Sequence, residues 1–158
     1  MSILSGCFLK NDQQDALHKI EKLIECIECN DIEETKKLFA KSKISDIDNF
    51  DLSIQELFSY YNGEFDSRIN LALKTDSDVD NGVMVKSYDM TYDFNTNICK
   101  YRLAIKWCAQ DTSNADNVGI WSLYIIRAED DITPNHAYWG DCLWTNGINI
   151  GKVYDGEW

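Results

Sequence analysis

From Asp12 to Cys29, apolar residues recur at steps of three and four. Ala16, Leu17, Ile20, Leu23, Ile24 and Ile27 make one stripe, which predicts an amphipathic helix. Cys29 falls on the side away from that stripe and is expected to meet water. Asn30-Asp31 breaks the pattern. Asp31, with Glu34 three residues on, starts a second helix that should run to about Lys41 with Ile32, Leu38 and Phe39 inward. Ser53-Ile54-Gln55-Glu56 has the form of a capping box. It opens a third helix ending near Tyr61, with Leu57, Phe58 and Tyr61 as its apolar side and Gly63 placed to stop it.

At residue 65 the period changes to two. Strands are expected near 66–74, 82–93, 98–109 and 118–128, and a short one through Ile148-Asn149-Ile150. Asp93-Phe94-Asn95-Thr96-Asn97 is a turn signal, so the second and third strands should form an antiparallel hairpin. Helices first and hairpin-linked strands afterwards predict an α+β fold, with the helices on one face of an antiparallel sheet. In the third strand Tyr101, Leu103, Ile105 and Trp107 share one side, with Lys100, Arg102 and Lys106 on the other. The fourth strand is different: Trp121, Leu123 and Ile125 oppose Ile120, Tyr124 and Ile126, so both of its faces are apolar. A sheet covered on one side alternates apolar with polar. Something must therefore cover the second face here: a helix, the carboxy-terminal tail or a second subunit, the last giving a homodimer through the sheet.

The chain has 158 residues, 44% hydrophobic and 12% aromatic, enough for one sizeable core. With a single proline, Pro134, and no Gly/Ser tract, it divides into a short segment at 1–10 and one domain at 11–158. Its 27 acidic residues against 15 basic ones give a formal charge of −12. That balance disfavours binding through phosphate neutralisation, so no nucleic-acid partner is expected. A protein partner with a basic face would be steered toward it. Among six cysteines, Cys26-Ile27-Glu28-Cys29 is the one C-x-x-C, and no second pair follows to complete four zinc ligands. Cys99 and Cys108 read as small strand residues in or near the core.

Leu4-Ser5-Gly6-Cys7 has the form of a bacterial lipobox, in which Cys7 would carry the lipid. A full signal also holds a basic segment and an apolar run of about 7–15 residues upstream, whereas Met1, Ser2 and Ile3 alone precede this box. The expected address is the outer face of the cell membrane through that anchor; the alternative is the cytoplasm. Three further segments are informative. They are Asp51-Leu52-Ser53-Ile54-Gln55-Glu56-Leu57-Phe58-Ser59-Tyr60-Tyr61-Asn62-Gly63, Asp116-Asn117-Val118-Gly119-Ile120-Trp121-Ser122-Leu123, and Arg127-Ala128-Glu129-Asp130 with Tyr138-Trp139-Gly140-Asp141. Together they resemble an uncharacterised family of lipoproteins from low-GC Gram-positive bacteria. That resemblance implies a cone-shaped fold like that of nuclear transport factor 2, with helices packed into a curved antiparallel sheet, and export as a lipoprotein. It brings no catalytic residues.

Folds of that shape often hold a pocket between helices and sheet. Asp89, Asp93, Tyr92, Tyr101 and Trp107 are the residues that could line one, with Asp89 as a general base if burial raised its pKa. No nucleophile, P-loop or dinucleotide motif accompanies them, so neither enzymatic turnover nor a cofactor is expected. Asp76, Asp78 and Asp80 before Asn81-Gly82 approach the spacing of an oxygen-ligand loop. No glutamate follows at the required distance, and a solvated turn is the better reading. Binding remains: a surface module engaging a protein or small ligand, or an immunity protein that neutralises a basic toxin domain. The candidate contacts are the acidic turn Glu129, Asp130 and Asp131 with the aromatic group Tyr138, Trp139, Asp141 and Trp144.

Overall fold

Helix α1 (Ser5–Glu28) buries the stripe of Ala16, Ile20, Leu23, Ile24 and Ile27 against the sheet, each at most 4% exposed, and leaves Cys29 in solvent. The computed structural model describes residues 5–132 and 138–154, with side chains from Asn11 onward. Asp31 caps α2 (Ile32–Lys37) as its sequence predicts: its carboxylate accepts the Glu34 N–H at 3.0 Å. The helix stops earlier than expected. Leu38 to Ala40 turn away to pair in parallel with the start of a strand, the Ile120 N–H donating to Leu38 O at 2.8 Å and the Ala40 N–H to Ile120 O at 3.0 Å. A single turn, α3 (Lys41–Ile44), follows. Helix α4 spans Phe50–Tyr60, so it begins three residues before the capping box at Ser53. Its entry residue Asn49 is left-handed. Phe50 then drops into the core, 5% exposed and edge-on to Phe39 at 4.9 Å. Burial of that ring sets the boundary, and Ser53 lies within the helix.

The sheet has five strands in the order β1 (Phe65–Asp80), β2 (Val83–Thr96), β3 (Lys100–Asp111), β4 (Gly119–Arg127) and β5 (Gly147–Ile150). The first four are joined antiparallel. The fold is α+β with a curved, unclosed sheet. Four register shifts, at Phe65/Ser67, Arg68/Asn70, Lys86/Ser87 and Lys106/Trp107, bend it. Two expectations change. β1 continues through Asp76, Asp78 and Asp80 to a two-residue turn at Asn81-Gly82, both left-handed at φ 48° and 82°. That is the geometry a tight hairpin selects. Those three aspartates therefore stand on an extended strand, not around a loop. β5 pairs in parallel with β4, so the sheet is not antiparallel throughout.

On the helix side, Tyr88, Met90, Tyr92 and Phe94 of β2 meet Tyr101, Leu103, Ile105 and Trp107 of β3, with Ile120, Leu123 and Ile125 of β4. The last group corrects the parity expected for β4. The register shift opposite Trp107 makes Trp121 the extra residue, so Ile120 joins the core. Trp121 instead donates to Asn117 O at 2.7 Å. On the opposite side Ala104, Tyr124 and Ile126 form a second core with Tyr138, packed by Trp144 and Val153. The cover for that face is the carboxy-terminal segment.

Three buried tyrosines bind by their neutral hydroxyls. Tyr61 donates to Glu28 at 2.9 Å, Tyr88 to Asp15 at 2.9 Å and Tyr101 to Tyr60 O at 3.0 Å. Burial pushes all three phenols up, Tyr101 to about 12. An unfolded tyrosine ionises near pH ~10. Because the folded pKa values lie higher, their contribution is complete below pH ~10 and is lost as pH rises toward the folded values. Tyrosinate absorbance should therefore appear together with loss of far-ultraviolet circular dichroism above about pH 10. Ionisation of Tyr61, Tyr88 and Tyr101, followed by their ring resonances, near pH ~10 with the fold intact would contradict this.

Candidate functional site

The helix-free face of the sheet divides in two. Over β3 and β4 lie Tyr138, Trp144 and Val153, from the chain on either side of β5; over β1 and β2 Ala72 is exposed and Asp89 and Asp93 are half-buried. The covering segment is anchored at two places. At one, Tyr138 is 3% exposed and its hydroxyl donates to Lys152 O at 2.5 Å. Nearby Asp131, its side chain fully buried, pairs with Arg102 at 2.5 Å, and Arg102 lies 3.7 Å from Asp93. At the other, the chain turns sharply through Gly140 (φ 62°), Cys142 (φ 61°) and Trp144 (φ 54°).

That turn is held from below. The Tyr124 hydroxyl donates to Asp141 Oδ1 at 2.9 Å and accepts the Thr145 N–H at 2.7 Å; Asp141 Oδ1 also accepts the Leu143 N–H at 3.0 Å. Ser122 Oγ donates to Trp144 O at 2.9 Å. Burial pushes the Tyr124 phenol up, so it stays a neutral donor and acceptor. Gly140 is required for the approach, because a Cβ there would stand 2.2 Å from the Tyr124 ring. The indoles of Trp139 and Trp144 meet edge to face at 5.8 Å, Trp144 meets Tyr124 at 6.0 Å, and the Lys106 ammonium lies 5.7 Å over the Trp144 ring. At the tip Leu143 is 77% exposed.

The residues singled out in the sequence are sorted accordingly. Asp131 and Tyr138 are interior, closing the second core. Asp141 acts on the loop backbone. Trp139 and Trp144 are half-buried, each with one side presented. Glu129 and Asp130 are exposed, in the turn where the Asp130 N–H donates to Arg127 O. This acidic turn is not beside the tryptophans. It follows Arg127, while Trp144 sits at Ser122, five residues back along β4 or about 17 Å. The expected pocket set also separates. Tyr92, Tyr101 and Trp107 are at most 5% exposed within the helix-side core. Asp89 faces the other way, flanked in the ladder by Lys74 and Lys106, with a buried Oδ1 that makes no hydrogen bond. Asp93 shares that face and lies 3.9 Å from Lys100. One-residue parity decides this: Tyr88, Met90 and Tyr92 point in, so Asp89 and Asp93 point out. Pro134 lies outside the described residues, as does the side chain of Cys7, whose backbone falls in α1.

Leu143 is the residue that sequence reasoning missed. Its signal was the spacing Gly140-Asp141-Cys142-Leu143-Trp144, a short apolar tip after a glycine and an aspartate, which are turn formers.

A surface cleft of about 700 Å³ lies elsewhere, between α2, α3 and α4, where Lys36 pairs with Asp51 at 2.6 Å. No helix among the described residues is long and apolar enough to cross a membrane. No curated protein matches the chain. A family described as a domain of unknown function, DUF5104, matches residues 22–128, from within α1 to just past the end of β4. With more than half of its residues matched, the chain belongs to the DUF5104 family.

Proposed function

We propose that this chain is a non-catalytic binding module, a surface lipoprotein that engages a protein partner through the Gly140–Trp144 loop. The observation that carries the reading is the loop itself. Left-handed backbone at a non-glycine residue costs about 1–3 kcal/mol each. Here Cys142 and Trp144 both adopt it, in a turn locked by Tyr124, Ser122 and Asp141. What the strain achieves is display: an apolar tip, Leu143, beside two half-presented indoles. Rigid aromatic anchors of this kind supply most of the affinity in protein interfaces. The net charge of −12 favours a basic partner and speeds the encounter. It equally suits an immunity protein bound to a basic toxin domain. The packing of Tyr92, Tyr101 and Trp107 into the core, with Asp89 on the other face, weighs against the pocket enzyme.

The open sheet behind amino-terminal helices supports the nuclear-transport-factor-2-like reading, and Cys7 is the proposed anchor. The test is capture from detergent-solubilised membranes of the native cell. Leu143→Asp and Trp139→Ala should each reduce recovery of the partner about tenfold or more, whereas Glu129→Gln should change mainly its salt dependence. Equal recovery by all four proteins would reject the loop as the contact.

A further inference from the structure

The two edges of the sheet are treated differently. On the β4 side, the rim is closed by the Phe39 bridge and then by β5, a strand of only four residues. Short terminal strands are a standard way to blunt an edge. On the other side, β1 runs 16 residues, pairs with β2 on one flank, and among the described residues has no strand on the other. From Asn70 to Asp80 its register is unbroken. No proline interrupts it, and Ile69-Asn70-Leu71-Ala72-Leu73 carries no charge. Phe65, Ile69 and Val79 on this strand are 39%, 46% and 63% exposed.

Alongside the start of this edge, α1 contributes a row of carboxylates. Glu21, Glu25 and Glu28 line a small cleft of about 140 Å³ with Ile24 and Phe65. A neighbouring cleft of about 390 Å³ continues past Glu28 to Glu64, Tyr61 and Phe58. The nearby cations are few: Lys22 is paired with Glu25 at 3.0 Å, and Arg68 stands on β1 itself. Farther along the strand Asp76, Asp78 and Asp80 continue the negative charge, with Lys74 tied to Asp76 at 2.8 Å. At the start of the strand the Phe65 N–H already donates to the Glu28 carboxylate; beyond it the edge combines unpaired strand backbone, an apolar centre and an acidic border.

We propose that the β1 edge accepts an extended, lysine- or arginine-rich segment of a partner protein as a sixth strand. Backbone pairing would supply register-independent affinity, and alternate side chains would supply selection. Basic residues at alternate positions would reach Glu21 and Glu25, while the residues between them would cover Ile69 and Phe65. Charge decides the occupant. A second copy of this chain would bring its own Asp76, Asp78 and Asp80 against an acidic rim. This surface lies at the opposite edge of the sheet from β5 and does not depend on the Gly140–Trp144 loop.

The test uses the intact chain and an 11-residue peptide alternating lysine with valine. A peptide of the same charge with proline at its centre, unable to extend the ladder, serves as the control, and a glutamate–valine peptide as the second. The lysine–valine peptide should bind at least tenfold more tightly than either. It should slow amide exchange in residues 69–75. Ile69→Lys should weaken it about tenfold, and the double variant Glu21→Gln/Glu25→Gln about fivefold with a flatter salt dependence. Trp139→Ala should leave it unchanged. Native chemical-shift dispersion in each variant separates loss of the edge from loss of the fold. Equal binding of the proline control, or binding without protection of β1 amides, would overturn the proposal by showing attraction to charge alone. So would a dimer in which β1 amides are already protected, since the edge would then belong to a second copy.

Discussion

Replacing Arg102 with methionine will be among the most damaging single changes to this fold. The Asp131 carboxylate has no exposed surface and lies 2.5 Å from the guanidinium; Arg102 itself is only 12% exposed. Removing the guanidinium breaks a buried ion pair and leaves the Asp131 carboxylate without its Arg102 contact, which costs about 3–5 kcal/mol. In a domain of this size that corresponds to a fall of roughly 6–20 °C in melting temperature. The pair also joins β3 to the chain leading into the covering segment, so the variant should expose Tyr124 and Ile126 and bind a hydrophobic dye. The double variant Arg102→Met/Asp131→Leu should recover most of the loss, because an apolar pair of similar volume asks for no compensation. Urea unfolding of the three proteins decides the matter. A loss under about 1 kcal/mol for Arg102→Met would mean that the Asp131 carboxylate is held by its other contacts and that the pair adds little to stability.

Gly119→Ala should be comparably severe for a different reason. At φ 129° this residue occupies backbone space that side chains rarely enter. A Cβ there would lie 2.6 Å from Ala40 N, 2.8 Å from Leu38 O and 2.8 Å from the Phe39 carbonyl carbon. All three are main-chain atoms of the strand-like bridge, so no rotamer relieves the clash. The Phe39–Ile120 bridge must open, and Phe39 is 2% exposed at the centre of the helix-side core. The expected loss is about 3 kcal/mol or more. Gly82→Ala provides the contrast. It also has a positive φ, 82°, but nothing lies within 4 Å of the added carbon. Its cost should stay near about 1–2 kcal/mol, the conformational penalty alone. Similar losses at both positions would show that backbone strain, not the close approach of two chains, explains Gly119.

These two sites show what could and could not be read in advance. The stripe along α1, the cap at Asp31 and the sided pattern of β3 depend on neighbours within a few positions, and all three appear as expected. The end of α2 does not: Leu38 and Phe39 carry a helical pattern, but their backbone is claimed by Ile120, some 80 residues away. Likewise the shift opposite Trp107 exchanges Trp121 for Ile120, and nothing local announces a bulge. For the site, residue types were visible and their direction was not. Tyr138 and Trp144 form one aromatic group in the sequence, yet in the fold one closes a core while the other ends a displayed loop. Asp89 lay one position from Tyr88, and that single step placed it on the far side of the sheet. The apolar character of both faces of β4 correctly required a cover, and the chain's own later residues provide it.

The two faces of β4 are thus completed by chain segments that precede and follow the four antiparallel strands. Residues before 64 supply the wall behind Leu123 and Ile125; residues after 137 supply the wall behind Tyr124 and Ile126. During synthesis the amino-terminal wall can form as soon as the hairpins emerge. The other side of β4 stays wet until Tyr138, Trp144 and Val153 have left the ribosome. For that interval the nascent chain presents a tyrosine and an isoleucine on a nearly finished sheet, the kind of exposed surface that invites chaperone binding or misassociation. Emergence of residues 138–154 is therefore the step that removes this surface from solvent.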